Sequence, residues 1–151
     1  MAAAKTDLQW WQSNADSSGS PIKWQDFADE LCTDGSLQGC GAFFENQSIG
    51  SRWTSEELRQ YGHSSNCLEL LAIYLAIRAF SDRLQIRNIC VPADNTTAVS
   101  HINTMGGTQF ELCSFLAKQI WNLVQSINLY ILATHIPGVN NVEGCNMFSF
   151  L

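Results

Sequence analysis

The sequence predicts one mixed α/β domain built on a five-stranded sheet, three antiparallel strands followed by parallel ones, with helices on its flanks. Three observations predict it. Short apolar runs separated by turn formers come first, a long helical stripe follows, and two more apolar strands then alternate with helices. The order β-β-β-α-β-α-α-β is a meander whose later strands are reached through helical crossovers. Length permits it: 151 residues, 46% of them hydrophobic, bury a core without disulfides or a structural metal.

Residues 1–26 are polar and Trp-rich and include the turn-forming run Ser13-Asn14-Ala15-Asp16-Ser17-Ser18-Gly19-Ser20-Pro21. They read as a connector, in which Leu8, Trp10 and Trp11 on a short helix around 7–13 either dock on a neighbour or fray. The folded domain is expected over 27–151. Its first strand, Leu31-Cys32-Thr33, leads into Asp34-Gly35, and strands over 39–44 and 48–53 flank the turn formers Glu45-Asn46-Gln47. Residues 66–80 carry apolar side chains at 68, 71, 72, 75, 76 and 79, the strongest helical stripe in the chain. A short buried strand over 87–91 precedes a helix over 96–103 that Gly106-Gly107 stops. A helix over 111–126 repeats apolar positions at 113, 116, 120 and 123, with 127 just beyond it, and a strand over 128–135 ends at Pro137-Gly138.

Composition excludes several classes. The longest apolar stretch, 68–77, is interrupted by Glu69 and Tyr74 and falls short of the roughly 20 residues of a membrane span. Met1-Ala2-Ala3-Ala4-Lys5 has one cation and no apolar core, so a secretory signal is not expected and an intracellular, reducing setting is. The cysteines at 32, 40, 67, 90, 113 and 145 contain no C-x-x-C pair and read as small buried apolar residues. Eight Lys+Arg against fourteen Asp+Glu leave a net charge of −6, the wrong sign for gripping nucleic acid unaided. A polyanionic partner requires metal ions or another domain.

Three acids stand at the ends of core elements: Asp34 after the first strand, Glu69 in the first turn of the main helix, Asp94 after the strand over 87–91. In an α/β sheet such strand ends face one crevice. Carboxylates converging there repel one another unless cations neutralise them. Mg²⁺, a hard ion held by a few carboxylates, substrate phosphates and water, suits that set. Two such ions roughly 4 Å apart activate water and stabilise the leaving oxygen in phosphodiester cleavage. Each acid also has a structural alternative. Asp34-Gly35 is a hairpin-turn signal, Glu69 follows Asn66 at capping-box spacing, and Asp94 stands where a helix cap would. Near the same crevice, Asn95, Thr96 and Thr97 at a helix start suit phosphate contacts or simple capping. Gly39 suits close approach of a substrate backbone or a bulge, and His135 a substrate contact or a structural hydrogen bond before Pro137.

Taken together, these blocks resemble the ribonuclease H domain of reverse transcriptases, most closely that of tyrosine-recombinase (DIRS-type) retrotransposons. The resemblance is carried by Thr33-Asp34-Gly35-Ser36-Leu37-Gln38-Gly39-Cys40-Gly41-Ala42, Arg52-Trp53, Asn66-Cys67-Leu68-Glu69-Leu70-Leu71-Ala72 and Ala93-Asp94-Asn95-Thr96-Thr97-Ala98-Val99. It continues through Gly106-Gly107-Thr108 and His135-Ile136-Pro137-Gly138-Val139-Asn140-Asn141, covering about residues 31–145. It implies a ribonuclease H-like fold and cleavage of the RNA strand of an RNA–DNA hybrid by two Mg²⁺ ions, with Mn²⁺ as a substitute. Asp34, Glu69 and Asp94 match three of the family's four acids. At the fourth position stands Cys145, with Asn146 one residue on and Glu143 two residues before, which implies weak or absent turnover. The segment 1–26 resembles a connector from a polymerase region, so the resemblance also implies a fragment of a larger polyprotein with a polymerase partner. Met147-Phe148-Ser149-Phe150-Leu151 departs from the family's polar tail.

Overall fold

A computed structural model of the chain describes residue 9 and residues 29–105 and 111–136. Strands β1 (Asp29–Glu30) and β2 (Cys32–Gly35) are followed by β3 (Gly39–Phe44) and β4 (Gln47–Arg52). Helices α1 (Ser55–Tyr61), α2 (Ser65–Ala79) and α3 (Ser81–Leu84) lead to β5 (Asn88–Ala93). Helices α4 (Thr96–Asn103) and α5 (Glu111–Ser126) lead to β6 (Tyr130–His135).

β2, β3 and β4 form an antiparallel meander, with Asp34 opposite Gly41. The β3–β4 loop is two residues, Glu45 and Asn46, both with positive φ (47° and 66°), the twist that suits a tight hairpin. β5 pairs in parallel with both β1 and β6. The expected five-stranded sheet is therefore two three-stranded sheets joined through Leu31, which interrupts the first strand and donates its N–H to the Cys90 carbonyl at 2.9 Å. One strand thus serves the antiparallel half through β2 and the parallel half through β1. Parallel strands require crossovers, and the helices supply them.

The main helix is buried more widely than its stripe predicted. Every residue from Cys67 to Ile73 is buried, including Leu70 and Ile73, because α2 lies between β2 and α5 rather than on one surface. Cys67 and Cys113, both buried, meet across the α2–α5 contact with sulfurs 3.4 Å apart. Leu31, Ile89, Val91, Ile120 and Val124 complete the centre of the core, each fully buried.

Two helices were not expected. α1 buries only Tyr61 and so shows no apolar stripe, yet its start was written in Thr54-Ser55-Glu56-Glu57, a complete capping box. α3 is a single turn. Among the described residues no helix is long and apolar enough to cross a membrane. Apart from Gln9, the connector 1–26 lies outside the described residues, as do Gly106-Gly107-Thr108, Pro137-Gly138, Glu143, Cys145, Asn146 and the final five residues.

Candidate metal centre

The ends of β2 and β5 and the first turns of α2 bring Asp34, Glu69 and Asp94 together. One carboxylate oxygen from each lies within 4.8 Å of the others. Asp34 and Asp94 are half-buried, and Glu69 is only 5% exposed.

Local structure removes the structural alternative for each acid. Asp34 and Gly35 belong to β2, and the hairpin turn falls after them, closed by the Ser36 N–H on the Gly39 carbonyl at 2.9 Å. The cap of α2 is Ser64, whose hydroxyl accepts from the Cys67 N–H, so Asn66 is not the cap and Glu69 is not a capping-box partner. Asn95, not Asp94, caps α4, accepting from the Ala98 N–H at 2.9 Å. None of the three acids is a turn residue or a helix cap where it stands.

Burial and mutual repulsion set their protonation. Burial, then the charge of Asp34, pushes the Glu69 carboxyl up to about 8. Burial and the neighbouring Asp94 raise Asp34 as well. Glu69 is held by one backbone contact: the Gly35 N–H donates to Oε1 at 3.2 Å. Its other oxygen, Oε2, is buried and has no hydrogen-bond partner among the described residues. A buried carboxylate oxygen without a donor is costly, and an oxygen-seeking divalent ion would satisfy it. The donor set, all carboxylate oxygens, suits Mg²⁺ or Mn²⁺ over softer metals.

The sequence reading missed what holds this cradle. Gly35 is one such residue: a Cβ there would meet the Leu68 carbonyl oxygen at 2.6 Å, so only glycine brings the β2 backbone close enough to serve Glu69. Read as half of an Asp-Gly turn, it gave no such signal. Trp53 is another, buried, with its indole N–H donating to the Ser36 carbonyl and pinning the turn after Asp34. Asn66 is the third: its Oδ1 accepts from Asn95 Nδ2 at 2.7 Å.

The other candidates fall around the cradle with different environments. Asn95 is half-buried and uses both its Oδ1 and its Nδ2 within the protein, leaving exposed Thr96 and half-buried Thr97 as the more available side chains at the start of α4. His135 is exposed at the end of β6, in register with Ala93. Gly39 is not at a bulge: it pairs regularly with Arg52, and a Cβ there would meet the Ser51 carbonyl oxygen at 2.3 Å, so the neighbouring strand accounts for the glycine.

No protein-family model matches the chain, and no curated protein does. Solved structures do. LC11-RNase H1 in complex with an RNA/DNA hybrid aligns with a TM-score of 0.61 at 16% identity, covering 78% of this chain and 91% of that one. RNase H1 from the halophilic archaeon Halobacterium salinarum aligns with a TM-score of 0.58 at 15% identity, covering 79% and 92%. The protease-reverse transcriptase of prototype foamy virus aligns with a TM-score of 0.52 at 14% identity, covering 88% of this chain and 22% of the viral one. At these identities the likeness establishes the fold, which is ribonuclease H-like.

Proposed function

From that fold and the acid cluster we propose that the chain is a ribonuclease H-type domain, which cleaves the RNA strand of RNA–DNA hybrids with divalent ions held by Asp34, Glu69 and Asp94. The observation that carries the reading is the gathering of three carboxylates within 4.8 Å, one with a buried oxygen left for a cation. When bound, Mg²⁺ or Mn²⁺ supplies charge stabilisation at phosphate and an acidified water. The chain's own groups do the rest. Gly35 N–H fixes the Glu69 carboxylate through Oε1 and leaves Oε2 buried without a hydrogen-bond partner among the described residues. Asp34 in β2 and Asp94 just after β5 bring negative charge together, which draws cations to a domain whose net charge of −6 would otherwise repel the hybrid. Thr96 and Thr97, with Asn95 beside them, lie at the start of α4 for contact with the phosphate backbone. His135 is a further proposed contact, and so is the backbone at Gly39, which has no side chain to hold a substrate off.

We assign the parent protein to a retrotransposon of the DIRS type, with residues 1–26 as the connector to a polymerase partner and 27–151 as the ribonuclease H-like domain, on the sequence blocks and the reverse-transcriptase neighbour. We also infer a reducing, intracellular setting, on the sequence of residues 1–5 and the scattered cysteine spacing.

A second reading is favoured by one observation, Cys145 where the family has its fourth acid: a non-catalytic hybrid- or protein-binding module from a degenerate element. One assay decides. The chain, with Asp34→Asn and Cys145→Asp versions, is incubated with end-labelled RNA–DNA hybrid and Mg²⁺ or Mn²⁺. The enzyme reading expects slow cleavage that Asp34→Asn lowers by about 100-fold or more, the equivalent of about 3 kcal/mol, and that Cys145→Asp increases. Metal-dependent hybrid binding with no cleavage by the chain or by Cys145→Asp selects the binding module instead.

A further inference from the structure

We propose that Asn66 and Asn95 act as a positioning pair, a single side-chain hydrogen bond that sets the separation of Glu69 and Asp94; this rests on the metal-binding reading above. Asn66 lies one helical turn before Glu69, so the two project from the same side of α2. Asn95 directly follows Asp94 in the chain. The 2.7 Å bond from Asn95 Nδ2 to Asn66 Oδ1 therefore links the turn that carries one acid to the residue after another. It joins elements 29 residues apart, at the end of the sheet where three carboxylates crowd.

Chemistry identifies the job. Capping α4 requires only an acceptor, which Ser, Thr or Asp provides as well as Asn. Asn95 uses its Oδ1 for the cap, at 2.9 Å from the Ala98 N–H, and its Nδ2 for Asn66. The amide accepts with one atom and donates with another, whereas a serine or threonine hydroxyl would have to do both from a single oxygen and an aspartate has no donor. Aspartate here would cap the helix but lose the donor and add charge beside Asp94. The residue at 95 thus does more than start a helix: it ties α4 to α2 against the repulsion of Glu69 and Asp94, so that the ligands are already spaced when a cation arrives. Groups that orient metal ligands in this way typically alter affinity by about 10- to 100-fold when removed.

The test is a Mn²⁺ titration of the full chain, following the electron paramagnetic resonance signal of the free ion, with N66A, N95S, their double variant and Asp34→Asn. Serine caps as well as asparagine, so N95S keeps the start of α4 while losing the separate amide nitrogen that reaches Asn66. N66A removes the same bond from the other partner. The expected result is an approximately tenfold weaker Mn²⁺ affinity for each single variant and no further loss in the double, since both remove one bond. Losses that multiply in the double variant, or affinities of both singles within about twofold of the parent, overturn the positioning pair and leave the metal site standing. A parent chain that binds Mn²⁺ no better than Asp34→Asn removes the metal-binding reading itself, and the pair with it.

Discussion

The two ends of the sheet handle acidic residues in opposite ways. At the end where β2 and β5 finish, Asp34, Glu69 and Asp94 crowd together, and the neighbours that perturb Asp34 and Glu69 most, after burial, are other carboxylates. At the other end, Glu45 in the β3–β4 loop accepts from both Arg83 and Arg87, the first at 2.7 Å, and Arg87 also reaches Asp29 at 3.6 Å. Arg83 lies over the rings of Phe44 and Phe80, 5.2 and 5.6 Å from their centroids, and Arg87 over Phe44. There the two guanidiniums hold the Glu45 carboxyl below its ordinary range. One end sets its carboxylate against guanidiniums, and the other sets carboxylates against one another. The contrast teaches where the fold leaves carboxylate charge uncompensated, which is the end the proposed function assigns to a cation.

The sharpest way to break the contrast is through pH. The Glu69 carboxyl stands at about 8 against an ordinary 4.5, so between those values the folded chain holds a proton that the unfolded chain has released. Stability of the metal-free protein therefore falls as pH rises from about 5 to 8, by an amount on the order of a few kcal/mol. Thermal melts in a chelating buffer check this: the expected trace shows Tm falling across that window, Mg²⁺ restoring it at pH 8, and Glu69→Gln flattening the slope. A level Tm for the parent would mean the acid end carries no unresolved charge.

Next in size is Gly35→Ala. The new methyl group would press on the Leu68 carbonyl, a backbone atom that cannot turn aside. Urea denaturation is expected to show a loss of about 2–3 kcal/mol, together with weaker Mn²⁺ binding because the Gly35 N–H moves off Glu69. Full stability in this variant would show that β2 and α2 can separate without cost.

The smallest effect belongs to the opposite end. Arg83→Met keeps the apolar stem over Phe44 and Phe80 but loses the cation, which is worth about 0.5–1 kcal/mol for a partly exposed stack. Mn²⁺ affinity and any hybrid cleavage are expected to be unchanged. A drop in metal affinity here would couple the two ends and undo the comparison.

Much of this was legible in the chain. The meander, the main helix and the later crossovers followed from apolar spacing, because patterns of period two and 3.6 report burial directly. α1 escaped because it buries a single residue, although its capping box stood in plain sequence. Asp34, Glu69 and Asp94 were singled out by their places at element ends, but each retained a local explanation until the hairpin turn proved to follow Asp34 and the caps proved to be Ser64 and Asn95.

By itself the sequence determined the order of elements and which side chains carry hard oxygen donors, since periodicity and residue chemistry act over a few neighbouring positions. Only the tertiary structure decided that Leu31 splits its strand between two sheets, that Gly35 must lack a side chain to serve Glu69, and that Asn66 and Asn95 meet. Those facts depend on distances between segments 29 to 60 positions apart, and such distances are set by how helices and strands pack, not by what lies beside each residue in the chain.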